Sequence, residues 1–471
     1  MNLSKYKSEI LFSLATLGIL GIFFLSLSGV ITTPTKKVTV SSNTNSEKTK
    51  VINSKTSLSK RFSEGTQSLL PNPSDLKMQG ITAYAQGNYQ QAISFFEAVL
   101  EENRNDPETF IYLNNARIGK ETAHTLAVIA PVGRTSEIGL EILRGAGQAQ
   151  HVLNQLNQDS EVPIKILIVN DDNDPKIAKS VASELVKQSE VLGVLGHYSS
   201  GVTLEAAPVY NTGKLPIVSA ISTSVELSGI SPYVLRTVPS DSFAAAALAR
   251  YMIDELNAQK AIVYYDSNSA YSLSLKSEFT TSVFSDGGEV VQEYDLAETR
   301  FNAEQQIALA KDQAVDVIML AASTDTLEPS LSVMAEVDHD IPLVGGDDLY
   351  HPQVLKDGGE NAEGLVVAVP WHVLSDPNSE FVQEARQLWG GDVSWRSAMA
   401  YDAITAMGIA VIENPSREGI RDVLHAPNFS ADGATGKVHF LPSGDRNRAA
   451  QLVQIQPGNR SGIGFDFIPI K

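Results

Sequence analysis

The sequence predicts an α/β protein: two lobes of parallel sheet, preceded by a transmembrane helix and a short all-α unit. Three observations carry that prediction. From about Thr122 onward, short apolar runs alternate with helix-like stretches, the pattern of βαβ units. These runs are too many for one compact sheet, so two lobes are expected, split near Pro239 and Pro370, with a ligand cleft between them. Before them, residues 10–31 are almost wholly apolar and carry no charge.

The amino terminus reads as a tail (1–9) with Lys5 and Lys7, then a membrane span (10–32). About 20 apolar residues cross a bilayer, whereas a signal-peptide core needs about 7–15. The flanking lysines favour a cytoplasmic N-terminus in the inner membrane. A long signal cut near Ser26–Gly29 is the alternative; in both cases the bulk of the chain is exported. Residues 33–72 are rich in Ser, Thr, Asn and Lys and poor in large apolar groups, so a disordered, solvated linker is expected there.

Residues 73–120 follow as a helical unit. Gly80, Tyr84, Gly87, Tyr89, Ala92, Phe96 and Val99 combine small residues, which let helices approach, with aromatics that fill the groove. Asn88 after Gly87 supplies the turn. The unit resembles a tetratricopeptide repeat, although the first-helix aromatic of that consensus is absent. One repeat and part of a second do not stand alone, so the unit packs on the next domain, a partner chain or a copy of itself.

The α/β region begins with HTLAVIAPVG, a strand into a loop, and the amphipathic EIGLEILRGAGQAQHVLNQLN. Further strands are read in VPIKILIVNDDND, VLGVLGHYSS, KLPIVSA, KAIVYYD, VDVIMLAAS, IPLVGGDD and GLVVAVPW. The stretch Gly196–Ser224 is the most informative. The apolar run Val191–Leu195 ends in Ser199 and Ser200, which open a helix-like segment. The next run, Leu215–Ala220, ends in Ser222, Thr223 and Ser224. Two successive strands thus deliver hydroxyls and free N–H groups to one sheet edge, a cradle for a carboxylate. Each cluster alone is equally a helix N-cap.

The ordered set APVGRTSEIGLEILRGA, NDDNDPKIAKSVASELV, VLGVLGHYSSGVTLEAAPVY, YVLRTVPSD, YDSNSAYSLSLKSEF and GGDDLYHP resembles the type I periplasmic binding proteins for leucine, isoleucine, valine and related amino acids. The resemblance spans 122–471 and implies two Rossmann-like lobes joined by a hinge: lobe 1 about 122–239 and 370–450, lobe 2 about 240–369 and 451–471. It further implies binding residues. Ser199 or Ser200, with Ser222 and Thr223, match the positions that hold an α-carboxylate. Asp347 matches the carboxylate that takes the α-ammonium, and Tyr271 the tyrosine that closes over the ligand. Arg134, in the first loop, either binds an acidic or polar ligand side chain or is an exposed arginine. Trp371 and Tyr350 either shape the pocket or pack in the core.

Other chemistries find no support. A net charge of −19 argues against nucleic acid. The absence of cysteine excludes disulfides, thiolate metal sites, a Cys nucleophile and a lipidated cysteine. Asp171, Asp172 and Asp174 lack the glycine and distal Glu of a calcium loop and read as a strand-to-helix loop ahead of Pro175. GHYSSG is not a nucleophile elbow, and His197 has no evident Asp partner for a hydrolase triad. No G-x-G-x-x-G opens a helix, and no cofactor is expected.

The sequence therefore describes a non-catalytic, membrane-anchored protein that captures an amino acid, branched-chain or related, for ABC-type import, with a membrane permease as partner. The alternative is a ligand sensor whose helical unit relays binding to a signalling partner.

Overall fold

The structure, a computed structural model, describes residues 58–470 except 134–135, 157–161 and 338. The expected span at 10–32, the linker up to residue 57 and Arg134 lie outside the described residues. Among the described residues no helix is long and apolar enough to cross a membrane.

The described chain opens with β1 (Phe62–Ser63), then α1 (Asp75–Ala85), α2 (Tyr89–Glu102) and α3 (Pro107–Ile118). The first lobe follows with β2 (His124–Ile129), α4 (Ser136–Leu156), β3 (Ile164–Val169), α5 (Pro175–Lys187), β4 (Val191–Leu195), α6 (Ser200–Gly213), β5 (Ile217–Ser219) and β6 (Val234–Arg236). The second comprises α7 (Asp241–Arg250), β7 (Lys260–Tyr265), α8 (Ala270–Ser285), β8 (Glu289–Asp295), α9 (Ala303–Asp312), β9 (Val317–Ala321), α10 (Leu327–Val337), β10 (Leu343–Gly345) and β11 (Val366–Val369). The chain then returns to lobe 1 as α11 (Glu380–Trp389), α12 (Trp395–Glu413), α13 (Arg417–Leu424) and the hairpin β12 (Ala431–Gly433) and β13 (Gly436–Val438). It ends in lobe 2 with β14 (Gln451–Pro457) and β15 (Phe465–Pro469).

The strand orders are β1-β3-β2-β4-β5-β6 and β15-β14-β11-β10-β9-β7-β8. Both interiors are parallel, as the βαβ pattern requires, but β1, β14 and β15 pair antiparallel at the edges. The central strands are buried on both faces, which is why Leu126–Ile129 and Val317–Ala321 read as continuous apolar runs. The peripheral helices bury one stripe, in α5 Ala178, Val181, Ala182 and Leu185, whereas α3 and α12 are buried nearly all round. Asp174 caps that helix by accepting the N–H groups of Lys176 and Ile177, with Pro175 in its first turn. In α4, a Cβ on Gly145 would run into the Ser397 carbonyl, so only glycine permits the close crossing of α4 and α12.

Residues 58–72, expected as linker, are instead part of the fold. β1 extends the lobe 1 sheet through Ser63↔Ile168. Arg61 pairs with Asp172 at 2.7 Å. The buried carboxylate of Glu108 accepts the N–H of Leu69 at 2.6 Å and the Ser68 hydroxyl at 2.9 Å. Composition predicts solvation; long-range polar contacts order this segment instead.

Helices α1–α3 pack in sequence, with the Phe96 ring lying where a Cβ on Gly80 would sit. Lys77 is buried between Asp106 (2.8 Å) and Glu108 (2.7 Å). Of the packing partners considered for this unit, the next domain is the one found: α3 lies on α4 and β3 of lobe 1.

Candidate functional site

A cavity of about 240 Å³ lies between the lobes. Its walls come from loops at the carboxyl ends of parallel strands, where helix N-termini and free N–H groups converge. From lobe 1 come Tyr198, Ser199 and Ser200 after β4, and Ile221 and Thr223 after β5. From lobe 2 come Tyr271 at the start of α8, Thr324 after β9, and Asp347 with Asp348 after β10.

On the lobe 1 wall, the Ser199 hydroxyl does not cap α6 but donates to Asn173 Oδ1 at 2.7 Å. Ser200 Oγ accepts the N–H of Ser224 at 3.2 Å, tying the two hydroxyl loops together. The first turn of α6 lines the cavity, and its N–H groups have no intrahelical acceptor. Thr223 is 5% exposed and its Oγ1 has no hydrogen-bond partner. Ser222, expected beside it, faces away. Its hydroxyl bonds Thr203 Oγ1 at 2.7 Å and donates to the Tyr198 carbonyl at 3.1 Å, so it shapes the loop and does not reach the cavity.

On the lobe 2 wall, Asp347 is buried, and burial, then the neighbouring Asp348 charge, push its carboxyl up to about 7. Burial, then Asp347, drive the Tyr271 phenol well above its ordinary value, so it stays protonated. A Cβ on Gly346 would overlap Tyr271 Oη, so glycine there lets the phenol settle against the Asp347 loop. Asp241 adds a second buried carboxyl, pushed up to about 7 by burial, with one oxygen unpartnered. Its N–H donates to the Thr223 carbonyl at 2.9 Å.

The lobes touch across the cleft. Tyr198 Oη lies 3.1 Å from Thr324 Oγ1 and donates to Asp348 Oδ1 at 3.5 Å. Arg396, on α12, pairs with the same carboxylate at 3.4 Å and donates to the Tyr350 carbonyl at 3.1 Å.

The structure thus brings Ser199, Ser200, Thr223, Tyr271 and Asp347 to one cavity. Trp371 and Tyr350 are elsewhere: Trp371 packs on Phe381, and Tyr350 stacks on Phe467 at 4.3 Å. His197 does have an acidic partner, contrary to expectation: Nδ1 lies 2.7 Å from Asp171. Its Nε2 meets Tyr210 Oη at 3.0 Å, not a serine, and the trio is fully buried. Nothing nucleophilic is activated; the trio holds the loop that carries Ser199 and Ser200.

Sequence reasoning missed Tyr198, Thr324, Asp348 and Asp241. One signal was available: Ser323-Thr324 after VDVIMLAA repeats the strand-then-hydroxyl pattern of lobe 1. Asp241 carries no comparable mark.

Residues 130–461 match the periplasmic binding protein family. Leu/Ile/Val-binding protein homolog 6 of Brucella suis is 28% identical over 243 residues, covering 49% of this chain and 61% of that protein, less than two thirds of its length. The Leu/Ile/Val-binding protein of Escherichia coli is 22% identical over 308 residues, covering 63% and 81%. The branched-chain amino acid transporter substrate-binding protein of Streptococcus pneumoniae, solved in complex with isoleucine, superposes with a TM-score of 0.63 at 21% identity, covering 74% of this chain and 100% of that one, a likeness of fold. The chain belongs to the periplasmic binding protein family: it is an extracytoplasmic binding protein and not an enzyme.

Proposed function

We propose that the protein captures an α-amino acid as its zwitterion in the 240 Å³ cavity and delivers it to an ABC-type permease. The observation that carries this reading is the opposition of two walls. The hydroxyls and helix N-terminus of lobe 1 offer donors to a carboxylate, while Asp347 on lobe 2 offers a negative charge to an ammonium. Charge-assisted bonds in a dry cleft are the strong ones. The volume lies below the roughly 300–1,000 Å³ of drug-sized sites, which suits a small solute. The names of the Brucella, Escherichia and Streptococcus relatives point to the same ligand class.

Binding closes the lobes about their three crossings, and residues 10–32 hold the protein at the membrane surface. Calorimetric titration of the full-length protein against the common amino acids tests the reading, with Asp347→Asn as control. One saturable ligand, lost in the variant, is the expected result. No heat with any amino acid rejects the amino-acid assignment.

A second reading, sensing, draws on the helical unit. Tied to lobe 1 through Asn115, whose amide meets Ile166 and Gln150, the unit moves with that lobe, and a partner bound to it would register closure.

A further inference from the structure

We propose that Arg61 is a positioning residue for the ligand cavity. From the arm ahead of β1 it sets the loop after β3 on which Ser199 rests, so ligand binding and docking of the arm are coupled. The identity of the ligand rests on the amino-acid reading above; the coupling rests on contacts outside the cavity.

The loop of residues 170–174 is where arm and cavity meet. Asn173 lines the cavity, and its Oδ1 accepts the Ser199 hydroxyl at 2.7 Å and the Ser199 N–H at 3.4 Å. Asp171 lies 2.7 Å from His197 Nδ1, on the loop that carries Ser199. Asp174 caps α5, whose Pro175 also lines the cavity. Asp172 stands between these residues and takes Arg61 instead. Arg61 Nη1 donates to Asp172 Oδ2 at 2.7 Å and to the Asn170 carbonyl at 3.2 Å.

The backbone makes this loop depend on such ties. Asp172 and Asn173 are both left-handed, with φ of 54° and 53°. Asp and Asn enter that region more readily than other residues with a side chain, yet at a cost. Two in succession persist only where surrounding contacts hold them. Asp172 Oδ1 accepts Asn170 Nδ2 at 2.9 Å, and the Asp172 N–H donates to Asn170 Oδ1 at 2.9 Å. Those two bonds are internal to the loop; Arg61 is the ion pair that reaches it from outside. A Cβ on Gly133 would overlap Asp172 Oδ1, so the carboxylate sits between the arm and the loop after β2.

The arm has anchors of its own. The Arg61 carbonyl accepts the Asn170 N–H at 2.9 Å, and Phe62 pairs with Val169. Further along, Asn115 Nδ2 donates to the Glu64 carbonyl at 2.9 Å and the Tyr112 hydroxyl to the Gln67 carbonyl at 2.7 Å. Loss of the Arg61 guanidinium therefore leaves the arm docked and frees the loop. Both side chains of the pair are 21% exposed, so water competes for them and the effect on affinity is moderate.

The test combines hydrogen exchange and calorimetry on the full-length protein, with leucine as the probe. Arg61→Ala should speed exchange at residues 170–174 and 196–200 in the free protein and weaken leucine about three- to tenfold. Asp172→Asn keeps a residue suited to the left-handed backbone and breaks the same pair from the other side. It should act alike, and the double variant should be no worse than either single one. Arg61→Lys should recover part of the loss. Reciprocity supplies a readout that a merely structural role does not move: leucine should slow exchange at residues 58–64 in the wild type and not in Arg61→Ala. Ser68→Ala loosens the arm from Glu108 instead and should leave leucine affinity unchanged. Unaltered exchange at residues 170–174 and 196–200 in both single variants overturns the proposal. So does leucine binding that leaves residues 58–64 unprotected in the wild type. If leucine does not bind the wild type, the failure lies with the reading of the cavity, and exchange in the free protein still upholds or overturns the role of Arg61.

Discussion

The side-chain amide of Asn115 pairs with both backbone polar groups of Ile166: Nδ2 donates to its carbonyl at 2.8 Å, and Oδ1 accepts its N–H at 3.1 Å. A helix residue thus stands in for a strand. Asn154 of α4 does the same two positions earlier, meeting Ile164 N at 2.8 Å and O at 3.0 Å. β1 takes over two positions later, at Ile168. The outward-facing groups of β3 at 164, 166 and 168 are covered in register, so β3 is not left as an open edge.

Asn115→Ala should therefore destabilise lobe 1. It orphans two buried backbone groups, each costing about 1–3 kcal/mol. Chemical unfolding should show a loss of about 2–4 kcal/mol with an unchanged denaturant slope. A loss below about 1 kcal/mol would mean that water replaces the amide.

Amino-acid affinity should depend on pH with a definite sign. The ligand ammonium needs the Asp347 carboxylate, and that carboxyl is raised to about 7 in the free site. Affinity should fall about tenfold between pH 8 and 6, and Asp347→Asn should remove most of that slope. Asp241, also near 7, accounts for the remainder. The linkage to stability has the opposite direction. A carboxyl raised on folding stabilises fully below its unfolded value and loses that contribution as pH rises through the folded value. Without amino acid, the melting temperature should decline from pH 5 to 8, and less so in Asp347→Asn.

Gly346→Ala should impair binding more than folding. The added methyl meets Tyr271 Oη and Leu275 and displaces the phenol from the Asp347 loop. Titration should show at least a tenfold weaker amino-acid complex, and Gly346→Ala/Tyr271→Phe should recover part of it. If the single variant binds normally, Tyr271 does not position the ligand.

Tyr198→Phe removes a hydroxyl shared with Thr324 and Asp348 on the opposite lobe. A hydrogen bond of this kind contributes about 0.5–1.5 kcal/mol. Affinity should drop up to about tenfold, and small-angle scattering with saturating ligand should report a larger radius of gyration. Unchanged scattering and affinity would show that this contact does not hold the closed form.

His197→Phe should lower stability by about 2–4 kcal/mol, because Asp171 Oδ2 and Tyr210 Oη both lose their buried partner, although Asp171 Oδ1 keeps the Asn173 N–H. Unfolding midpoints check the size.

By itself the sequence determined the alternation of strand and helix and the two hydroxyl-bearing strand ends, because full burial leaves continuous apolar runs and helix starts select Ser, Thr and Asp. The same logic hid the edges. β8, half solvated, reads EVVQEYD, and β1 sits in a stretch whose composition suggests a linker. Only the tertiary structure decided which hydroxyl meets the cavity. Ser222 and Thr223 are adjacent and chemically alike, yet one is consumed by Thr203 and Tyr198 and the other is left unpartnered. It also decided that His197 is structural and that Asp241 joins Asp347 near the site. Such assignments depend on partners far apart in sequence, as Asp171 is from His197, and on burial that no local pattern encodes.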